Sequence, residues 1–357
     1  MPQTKIVQDV SLAEYTTIGL GGRAKYFAIC RTVADVRNGL TYARTAGLPV
    51  QVLGGGSNIL FADHGFDGLV LKIDLRGLRF SADGAGMNVT TGAGEPWDPF
   101  VQACVTRGLA GLECLSGIPG SVGATPIQNV GAYGQEISDT LLSLQALDRT
   151  NLEQVQLEGA DCAFRYRYSR FKDQDRDRYV ITQVTYRLRP QGRPEIRYPE
   201  LARQVQSQVD LNALPPGRPA LEAIRTVVLA LRRRKSMLFD PDDPDARSVG
   251  SFFLNPILTP EQLERLQARW ATVGGQSPVP TFEAQEGIKV PAAWLVEQAG
   301  FHKGHCHDGA GISSKHALAL VNRDGTTRQI LALATAIRQA VHDKFGIHLE
   351  IEPVLVD

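Results

Sequence analysis

The sequence predicts a protein of the α+β class, with a β-rich N-terminal half and a smaller α+β domain at the C-terminus. Short apolar stretches of strand length dominate the chain before residue 190. Longer amphipathic stretches with helical spacing are more frequent after it. Glycine is abundant, at 35 residues, and it is clustered instead of being spread along the chain. A mixed order of strands and helices is typical of an α+β fold.

Length and charge narrow the possible functions. A chain of 357 residues can form two or three domains of ordinary size. Lys and Arg together number 38, as do Asp and Glu, so the formal net charge is zero. The protein therefore has no net positive field to attract nucleic acid or an anionic membrane. Any anionic ligand must therefore be held by a local group of donors.

The sequence indicates a cytoplasmic protein. No apolar run reaches the length of a membrane span, and the first fifteen residues lack the apolar core of a signal peptide. The five cysteines form no CxxC pair, which favours reduced thiols.

In the first half, helix and strand signals alternate with glycine. A helix is predicted over residues 32–46, with Thr32 and Asp35 as a capping pair and Gly47 as its stop. A second helix is predicted from Trp97 to Arg107, ending before Gly108. Strands are predicted at residues 49–53, 59–61, 69–73, 87–91, 141–147 and 179–188.

The second half is expected to begin with a Pro-, Gln- and Arg-rich boundary at residues 190–219. The acidic, proline-containing residues 240–248 predict an exposed loop. Helices are predicted at residues 221–235, 260–270, 292–299 and 327–345, and a final strand is predicted at 347–356.

Two glycine clusters suggest an anion site. Glycines allow successive backbone N–H groups to converge on a phosphate, because no Cβ blocks close approach. The first, GGGSN at 54–58, is not a Walker A loop and does not open a helix. The second is GIPGSVGA at 117–124. Each alone could be a tight turn, but the two together suggest one extended diphosphate ligand.

Four further segments have both a functional and a structural interpretation. FRYRYSRFK at 164–172 could stack on bases, form a half-buried strand, or present an arginine fork to a carboxylate. RRRK at 232–235 either complements a helix C-terminus or directs Lys235 to a phosphate. Ser251 could be catalytic or could only form a turn or cap, and it is not in the GxSxG elbow that is typical of a nucleophile. The histidine-rich 302–308 stretch matches no standard zinc spacing, so no metal site is expected.

Six ordered motifs carry a resemblance to a known family. The chain resembles the UDP-N-acetylenolpyruvoylglucosamine reductase (MurB) family along nearly its whole length, in YTTIGLGGRA (15–24), LGGGSNIL (53–60), LSGIPGSVGATPIQNVGAYG (115–134), YRYSRFK (166–172), GSFFLNP (250–256) and AAWLVEQAGFHKG (292–304).

The resemblance implies an FAD-binding domain of the vanillyl-alcohol-oxidase (PCMH) type followed by a MurB-type α+β substrate domain. It implies an FAD-binding domain at 15–189, a connecting and substrate loop at 190–219, and a substrate domain at 220–357. The implied activity is the NADPH- and FAD-dependent reduction of UDP-N-acetyl-enolpyruvoylglucosamine to UDP-N-acetylmuramate in peptidoglycan synthesis. The expected partners are this UDP-sugar and NADPH, and the expected state is a monomer that binds neither nucleic acid nor membrane.

The resemblance also implies roles for individual residues. The catalytic residues it implies are Arg167, Ser251 as proton donor, and Glu352, with Glu350 as a weaker rival for the last. The substrate-binding residues it implies are Tyr198, Lys235, Asn255 and His316. The cofactor-binding residues expected from the glycine loops and the segment after them are Gly54, Gly55, Gly56, Ser57, Asn58, Gly117, Ile118, Pro119, Gly120, Ser121, Gly123, Gln128, Asn129 and Tyr133. By strand periodicity alone, Glu352 would be a solvated residue on the polar face of the last strand.

Two alternatives remain open at the level of sequence. A flavin oxidase of the same superfamily would reoxidise in air without responding to the enolpyruvyl substrate, and GSFFLNP argues against it. A non-catalytic module would bind a UDP-sugar without turnover, and the presence of Arg167, Ser251 and Glu352 together argues against that.

Overall fold

The computed structural model describes residues 4–284 and 286–357, which form two compact units. The first unit contains the described residues up to Val10, together with Ala24–Gly56 and Phe66–Leu238. The second contains Ser11–Arg23, Ser57–Gly65 and Phe239–Asp357.

Strands and helices follow one another along the chain in a mixed order. The strands are β1 (Ile6–Ser11), β2 (Arg23–Cys30), β3 (Val50–Leu53), β4 (Ile59–Phe61), β5 (Phe66–Ile73), β6 (Leu78–Asp83), β7 (Gly86–Gly92), β8 (Leu109–Ala110), β9 (Gly131–Ala132), β10 (Gln135–Glu136), β11 (Leu141–Asp148), β12 (Gln154–Glu158), β13 (Tyr179–Pro190), β14 (Ser248–Ser251), β15 (Ile257–Leu258), β16 (Phe282–Ala284), β17 (Gly287–Lys289), β18 (Cys306–His307), β19 (Ala310–Ile312), β20 (Ala319–Asn322) and β21 (Val354–Val356). The helices are α1 (Val33–Ala46), α2 (Trp97–Thr106), α3 (Pro199–Gln208), α4 (Arg218–Arg234), α5 (Pro260–Thr272), α6 (Ala292–Gln298) and α7 (Thr327–Phe345).

The first unit is built on two sheets. One has the order β1-β2-β5-β3, with β2 and β3 parallel to β5. The other has the order β12-β11-β13-β7-β6 and is antiparallel, and β8 pairs with the end of β13. Trp97, Phe100 and Tyr186 pack together in its core, with ring centroids 5.3–6.0 Å apart.

The second unit has short strands and three helices among its described residues. Its largest sheet has the order β14-β20-β19-β18, and β15, β17 and β16 form a second one. Phe252 and Phe253, directly after β14, are buried in its core with Leu320 and Ile337. Burial of these two rings fixes the end of the strand that carries Ser251.

Local capping signals in the sequence were confirmed. Thr32 and Asp35 form a capping box at the start of α1, and Gly47 ends it in the left-handed conformation at φ 64°. At α7, the Thr326 hydroxyl accepts from the Gln329 N–H, and Gly346 ends the helix at φ 71°.

Residues 164–172 do not form a strand. The backbones of Arg165 and Tyr168 exchange two hydrogen bonds, which closes a tight turn, and Arg167 within it has φ 51°. Ser169 then accepts a hydrogen bond from the Phe171 N–H at the start of a short 3-10 helix. The period-two alternation of aromatic and basic residues therefore does not reflect a strand.

The strand predicted at 347–356 is regular only at β21, which pairs in parallel with β4. Before it, Leu254 N–H donates to Glu350 O and Glu352 N–H donates to Phe252 O. Pro353 has no N–H to continue a ladder. Glu352 therefore lies at an irregular crossing of two chain segments, half-buried, and not on the solvent face of a strand.

Residues 190–219 and 240–248 also differ from prediction. The first segment contains α3, which packs through Leu201 and Val205 on α4. The second is irregular, but Asp245 and Ala246 within it are buried, and the Asp245 carboxylate accepts hydrogen bonds from the hydroxyls of Ser313 and Ser314.

By packing, α4 belongs with the first unit, since Leu221 lies in the core of that unit. The predicted boundaries at 189 and 220 divide the chain by function, and that division stays a prediction.

Candidate functional site

The two glycine loops of the first unit lie against each other. A Cβ on Gly55 would fall 2.4 Å from Gly120 Cα, and a Cβ on Gly54 would fall 2.7 Å from Ser121 Oγ. Gly120 itself has φ 123°, a backbone conformation that residues other than glycine rarely adopt. Loops that are far apart in sequence thus meet backbone to backbone, as one extended diphosphate ligand would require.

Two charged residues hold the loops in place. Lys72 Nζ donates to Gly54 O at the start of the first loop. Asp98 on α2 accepts from Gly117 N–H and forms a bidentate pair with Arg225 on α4, at 2.6 and 2.7 Å. Sequence analysis missed these residues, although a lysine in the apolar stretch of β5 and an aspartate after the helix-opening Trp97 were visible signals.

Burial would raise the pKa of the Asp98 carboxyl, but the hydrogen bonds from Arg225 and from Gly117 N–H outweigh it. The pKa of Asp98 is therefore held below its ordinary value. For Lys72, burial is the main influence and lowers the pKa of the ammonium.

The residues present fit an FAD diphosphate. The Ser121 hydroxyl is buried and has no hydrogen-bond partner among the described residues. A buried, unsatisfied hydroxyl is costly unless a ligand completes its bonding. It lies in the loop that contacts Gly54, and the backbone N–H groups of such glycine loops can converge on an anion.

Arg167 is held against the segment 129–134 of the first unit, which contains Gly131 and Gly134. Its guanidinium donates to Gly131 O and, at 3.4 Å, to Asn129 O, and lies 3.8 Å from Glu136 Oε1. Asn129 is fully buried and donates from Nδ2 to Glu136 Oε2 at 2.8 Å. These contacts orient a planar fork that is only 18% exposed and can bind a carboxylate.

Tyr198 and Lys235 also lie in the first unit, and both contact α3 or its start. Tyr198 immediately precedes α3, and its ring meets that of Tyr133 edge to face at 5.8 Å. Lys235 ends α4, and its Nζ forms an ion pair with Glu200 Oε2 at 2.7 Å. Glu200 was not singled out in the sequence.

The second unit brings Ser251, His316 and Glu352 together. Ser251 Oγ lies 3.5 Å from His316 Nε2. Glu352 N–H donates to the carbonyl of Phe252, the residue after Ser251. Asn58 Nδ2 in turn donates to Glu352 O at 3.5 Å. These four residues come from four separate stretches of sequence, which only folding brings together.

The remaining predicted positions are distributed as follows. Asn255 Oδ1 accepts from Ala292 N–H at the start of α6, at 2.9 Å. Ser57 follows the first glycine loop and belongs to the second unit. The other predicted cofactor positions lie in the first unit, at Gly56, Ile118, Pro119, Gly123 and Gln128.

Other possible sites have weaker support. His302, His305, Cys306 and His307 are exposed. Within residues 4–284 and 286–357, no three His, Cys, Asp or Glu side chains are grouped to hold a metal. None of the helices in this part of the chain is both long and apolar enough to span a bilayer.

Comparison with known proteins identifies the family. A family model described as "UDP-N-acetylenolpyruvoylglucosamine reductase, C-terminal domain" matches residues 242–356, and one described as "FAD binding domain" matches residues 24–153. A UDP-N-acetylenolpyruvoylglucosamine reductase of Thermobifida fusca is 46% identical over 358 residues, covering 99% of this chain and 98% of that protein. The corresponding reductase of Mycobacterium tuberculosis is 42% identical over 362 residues, and this alignment covers 98% of this chain and 95% of the M. tuberculosis protein.

A solved structure agrees at the level of fold. The crystal structure of UDP-N-acetylenolpyruvylglucosamine reductase (MurB) from Thermus caldophilus superposes with a TM-score of 0.65 at 22% identity, over 99% of each chain. The fold is thus an FAD-binding domain followed by a MurB C-terminal domain, as the sequence predicted. With near-complete coverage at more than 40% identity, the chain belongs to the UDP-N-acetylenolpyruvoylglucosamine reductase (MurB) family of flavin-binding oxidoreductases.

Proposed function

We propose that this protein uses NADPH to reduce the enolpyruvyl ether of UDP-N-acetylenolpyruvoylglucosamine to UDP-N-acetylmuramate, with Ser251 as the proton donor. The observation that carries this proposal is the contact of Ser251 Oγ with His316 Nε2, in a chain that belongs to a reductase family. Glu352 joins the same region through its backbone, because its N–H donates to the carbonyl of Phe252, the residue after Ser251. A hydroxyl donor suits protonation of a carbon beside a carboxylate.

Bound FAD supplies the two-electron hydride chemistry, with NADPH as the source of electrons. Residues suited to hold its diphosphate are those of the two glycine loops, including Gly55, Gly120 and the unsatisfied hydroxyl of Ser121. The Gln128–Tyr133 segment lies beside Arg167 through Asn129 and Gly131, and we expect it to line the ring system.

The reaction adds one hydride and one proton across the carbon–carbon double bond. Hydride addition at the methylene carbon leaves negative charge on the neighbouring carbon and its carboxylate. We assign Arg167 to bind that carboxylate, because a preorganised guanidinium stabilises charge as it develops. Ser251 Oγ–H then protonates the carbon, and the serine regains its proton from solvent. Such a carbon is basic enough to accept a proton from a hydroxyl.

Glu352 is assigned to the same developing charge. As a protonated or well hydrogen-bonded carboxyl it would stabilise the carboxylate oxygens of the substrate. The residue is half-buried, and its backbone N–H donates to Phe252 O.

The substrate-binding roles of Tyr198, Lys235, Asn255 and His316 are also proposals. Lys235 pairs with Glu200, so a substrate diphosphate would compete with that carboxylate for the ammonium group. For His316, the 3.5 Å contact of its Nε2 with Ser251 Oγ supports a position near the proposed proton donor. We further propose a cytoplasmic monomer that acts in cell-wall synthesis.

The decisive test is the visible spectrum of the purified protein. It should be yellow, lose its flavin absorbance on anaerobic addition of NADPH, and regain it when the enolpyruvyl substrate is added. A protein that takes up no FAD would contradict the proposal. Rapid reoxidation by air with no response to the substrate would instead indicate a flavin oxidase, and UDP-sugar binding without any turnover would indicate a binding module.

A further inference from the structure

Asp245 is the most buried acid of the stretch 240–248, with 2% of its surface exposed. Its Oδ2 accepts from Ser313 Oγ at 3.0 Å, from Ser314 N–H at 2.8 Å and from Ser314 Oγ at 2.7 Å. Its Oδ1 accepts from the Arg323 guanidinium. One carboxylate thus connects two segments that lie 68–69 and 78 residues from it in sequence.

The bonds continue from Asp245 to the proposed proton donor. Ser313 Oγ, which donates to Asp245, accepts from the N–H groups of Lys315 at 3.1 Å and His316 at 3.3 Å. The His316 ring then reaches Ser251 Oγ at 3.5 Å. The conformation of the turn at 313–316, and with it the position of the histidine ring, depends on this carboxylate.

The same segment also leads into the strand of Ser251. Three residues after Asp245, Ser248 begins β14, where its carbonyl accepts from Thr17 Oγ1 at 2.6 Å. Ser251 is paired with Ala319 of β20, and Ala319 N–H donates to His316 O. Asp245 is therefore connected to the turn that carries His316 and lies three residues before the strand that carries Ser251.

We propose that Asp245 is a positioning residue for the reaction, which holds the 313–316 turn so that His316 orients the Ser251 hydroxyl. This inference rests on the proposed role of Ser251. A carboxylate suits this task better than a neutral side chain, because hydrogen bonds to an ionised acceptor are stronger and leave both hydroxyls and the Arg323 guanidinium satisfied. Burial would raise the pKa of Asp245, but the donors of Ser314, Arg323 and Ser313 outweigh it and keep the pKa below its ordinary value.

The test is the Asp245→Asn variant, measured separately in the two half-reactions by anaerobic stopped-flow absorbance. We expect flavin reoxidation by the enolpyruvyl substrate to slow by about tenfold or more, because a neutral amide accepts weaker hydrogen bonds than a carboxylate and holds the turn less firmly. Reduction by NADPH should change less than about twofold, because Asp245 is not assigned to it. Asp242→Asn is the matched control, since it removes the same charge from an exposed position three residues earlier.

A double variant separates positioning from a general structural effect. If Asp245 acts through Ser251, Asp245→Asn should add little to the defect of Ser251→Ala. Fully additive losses, or equal slowing of both half-reactions by Asp245→Asn, would overturn the inference. If Asp245→Asn yields no folded flavoprotein, Ser313→Ala provides the same test, because it removes the link to His316 and leaves the bonds to Ser314 and Arg323 in place.

The two proposals fail in different ways. If Ser251→Ala reoxidises at the normal rate, the proposed function of Ser251 is wrong. If Ser251→Ala is slow but neither Asp245→Asn nor Ser313→Ala affects reoxidation, only the inference about Asp245 is wrong.

Discussion

At the scale of single residues, the proposed catalytic side chains are positioned by backbone features that a sequence pattern does not show. Arg167 has a positive φ of 51°, which is unusual for a residue with a long side chain and needs support from its surroundings. That support includes the carbonyls of Asn129 and Gly131, to which the guanidinium donates. Ser251 follows Gly250, whose φ of 77° accompanies the irregular pairing of β14 with β20.

The Ser251→Ala variant should leave flavin reduction by NADPH nearly unchanged and slow reoxidation by the substrate. Loss of a general acid typically costs about 10²- to 10⁴-fold. Stopped-flow absorbance at the flavin band measures each half-reaction, so reduction serves as the internal control. Equal losses in both would mean that Ser251 positions ligands and does not donate the proton.

At the scale of elements, the glycine loops are determined by steric contact. Gly55 has no space for a side chain, because the backbone of Gly120 would lie 2.4 Å from its Cβ. Such close approach is possible only because Gly55 has no Cβ. The loops therefore depend on each other, and neither could be modified alone without moving the other.

The Gly55→Ala variant should separate the loops and reduce the FAD content of the purified protein by about tenfold or more, equivalent to about 1.4 kcal/mol. The ratio of flavin to protein absorbance measures this directly. Gly84→Ala is the matched control: Gly84 has φ 58°, but a Cβ there meets nothing within 4 Å. If Gly55→Ala retains full FAD content, the loops do not bind the diphosphate.

The pair of Asp98 and Arg225 joins α2 to α4 and also fixes Gly117. Because the pKa of Asp98 is lower in the folded protein than in the unfolded chain, its contribution to stability is present above the unfolded pKa. It is lost as the pH falls through the lowered, folded-state pKa.

Asp98→Asn should therefore lower the free energy of unfolding at neutral pH by about 2 kcal/mol, the scale of a hydrogen bond to a charged group. The difference from the unmodified protein should shrink below the unfolded pKa of Asp98, as this carboxyl becomes protonated in the unmodified protein too. Urea unfolding at a series of pH values measures both effects. Asp67→Asn removes an exposed acid paired with Lys25 and should change stability by less than about 0.5 kcal/mol. A pH-independent loss for Asp98→Asn would contradict the assignment.

At the scale of the whole molecule, the proposed function requires the folded chain to bind FAD and the unfolded chain not to. Binding to the folded state alone adds about 2.7 kcal/mol of stability when free FAD is a hundredfold above its Kd. Protein stripped of FAD should thus unfold at a lower temperature, and added FAD should restore the original midpoint. Scanning calorimetry measures the shift, and Gly55→Ala protein should show a smaller shift at the same concentration of FAD.

The two compact units each contain part of the proposed catalytic set. Arg167 belongs to the first and Ser251 and Glu352 to the second. The chain also passes between the units more than once, since residues 11–23 and 57–65 belong to the second. Each compact unit is therefore built from separate stretches of sequence, and the functional division predicted at 190–219 stays a prediction.

The sequence by itself determined the α+β class, most helices with their caps, the glycine loops and, through the order of six motifs, the family. These features depend on short-range signals: a capping pair three residues apart, a glycine at a helix end, or a motif that is read locally. The same signals failed where spacing alone was followed, at 164–172 and at 347–356.

Only the tertiary structure decided which distant residues meet. It placed Gly55 against Gly120, Ser251 beside His316 and Glu352, and Asp245 beneath the turn at 313–316. Strand pairing and core burial, such as that of Phe252 and Phe253, determine these contacts, and they involve residues far apart in the chain. An acid in a polar, proline-containing stretch resembles a solvated loop residue until its partners are known. Burial of Asp245 is possible because donors from two other segments neutralise the cost of removing its charge from water.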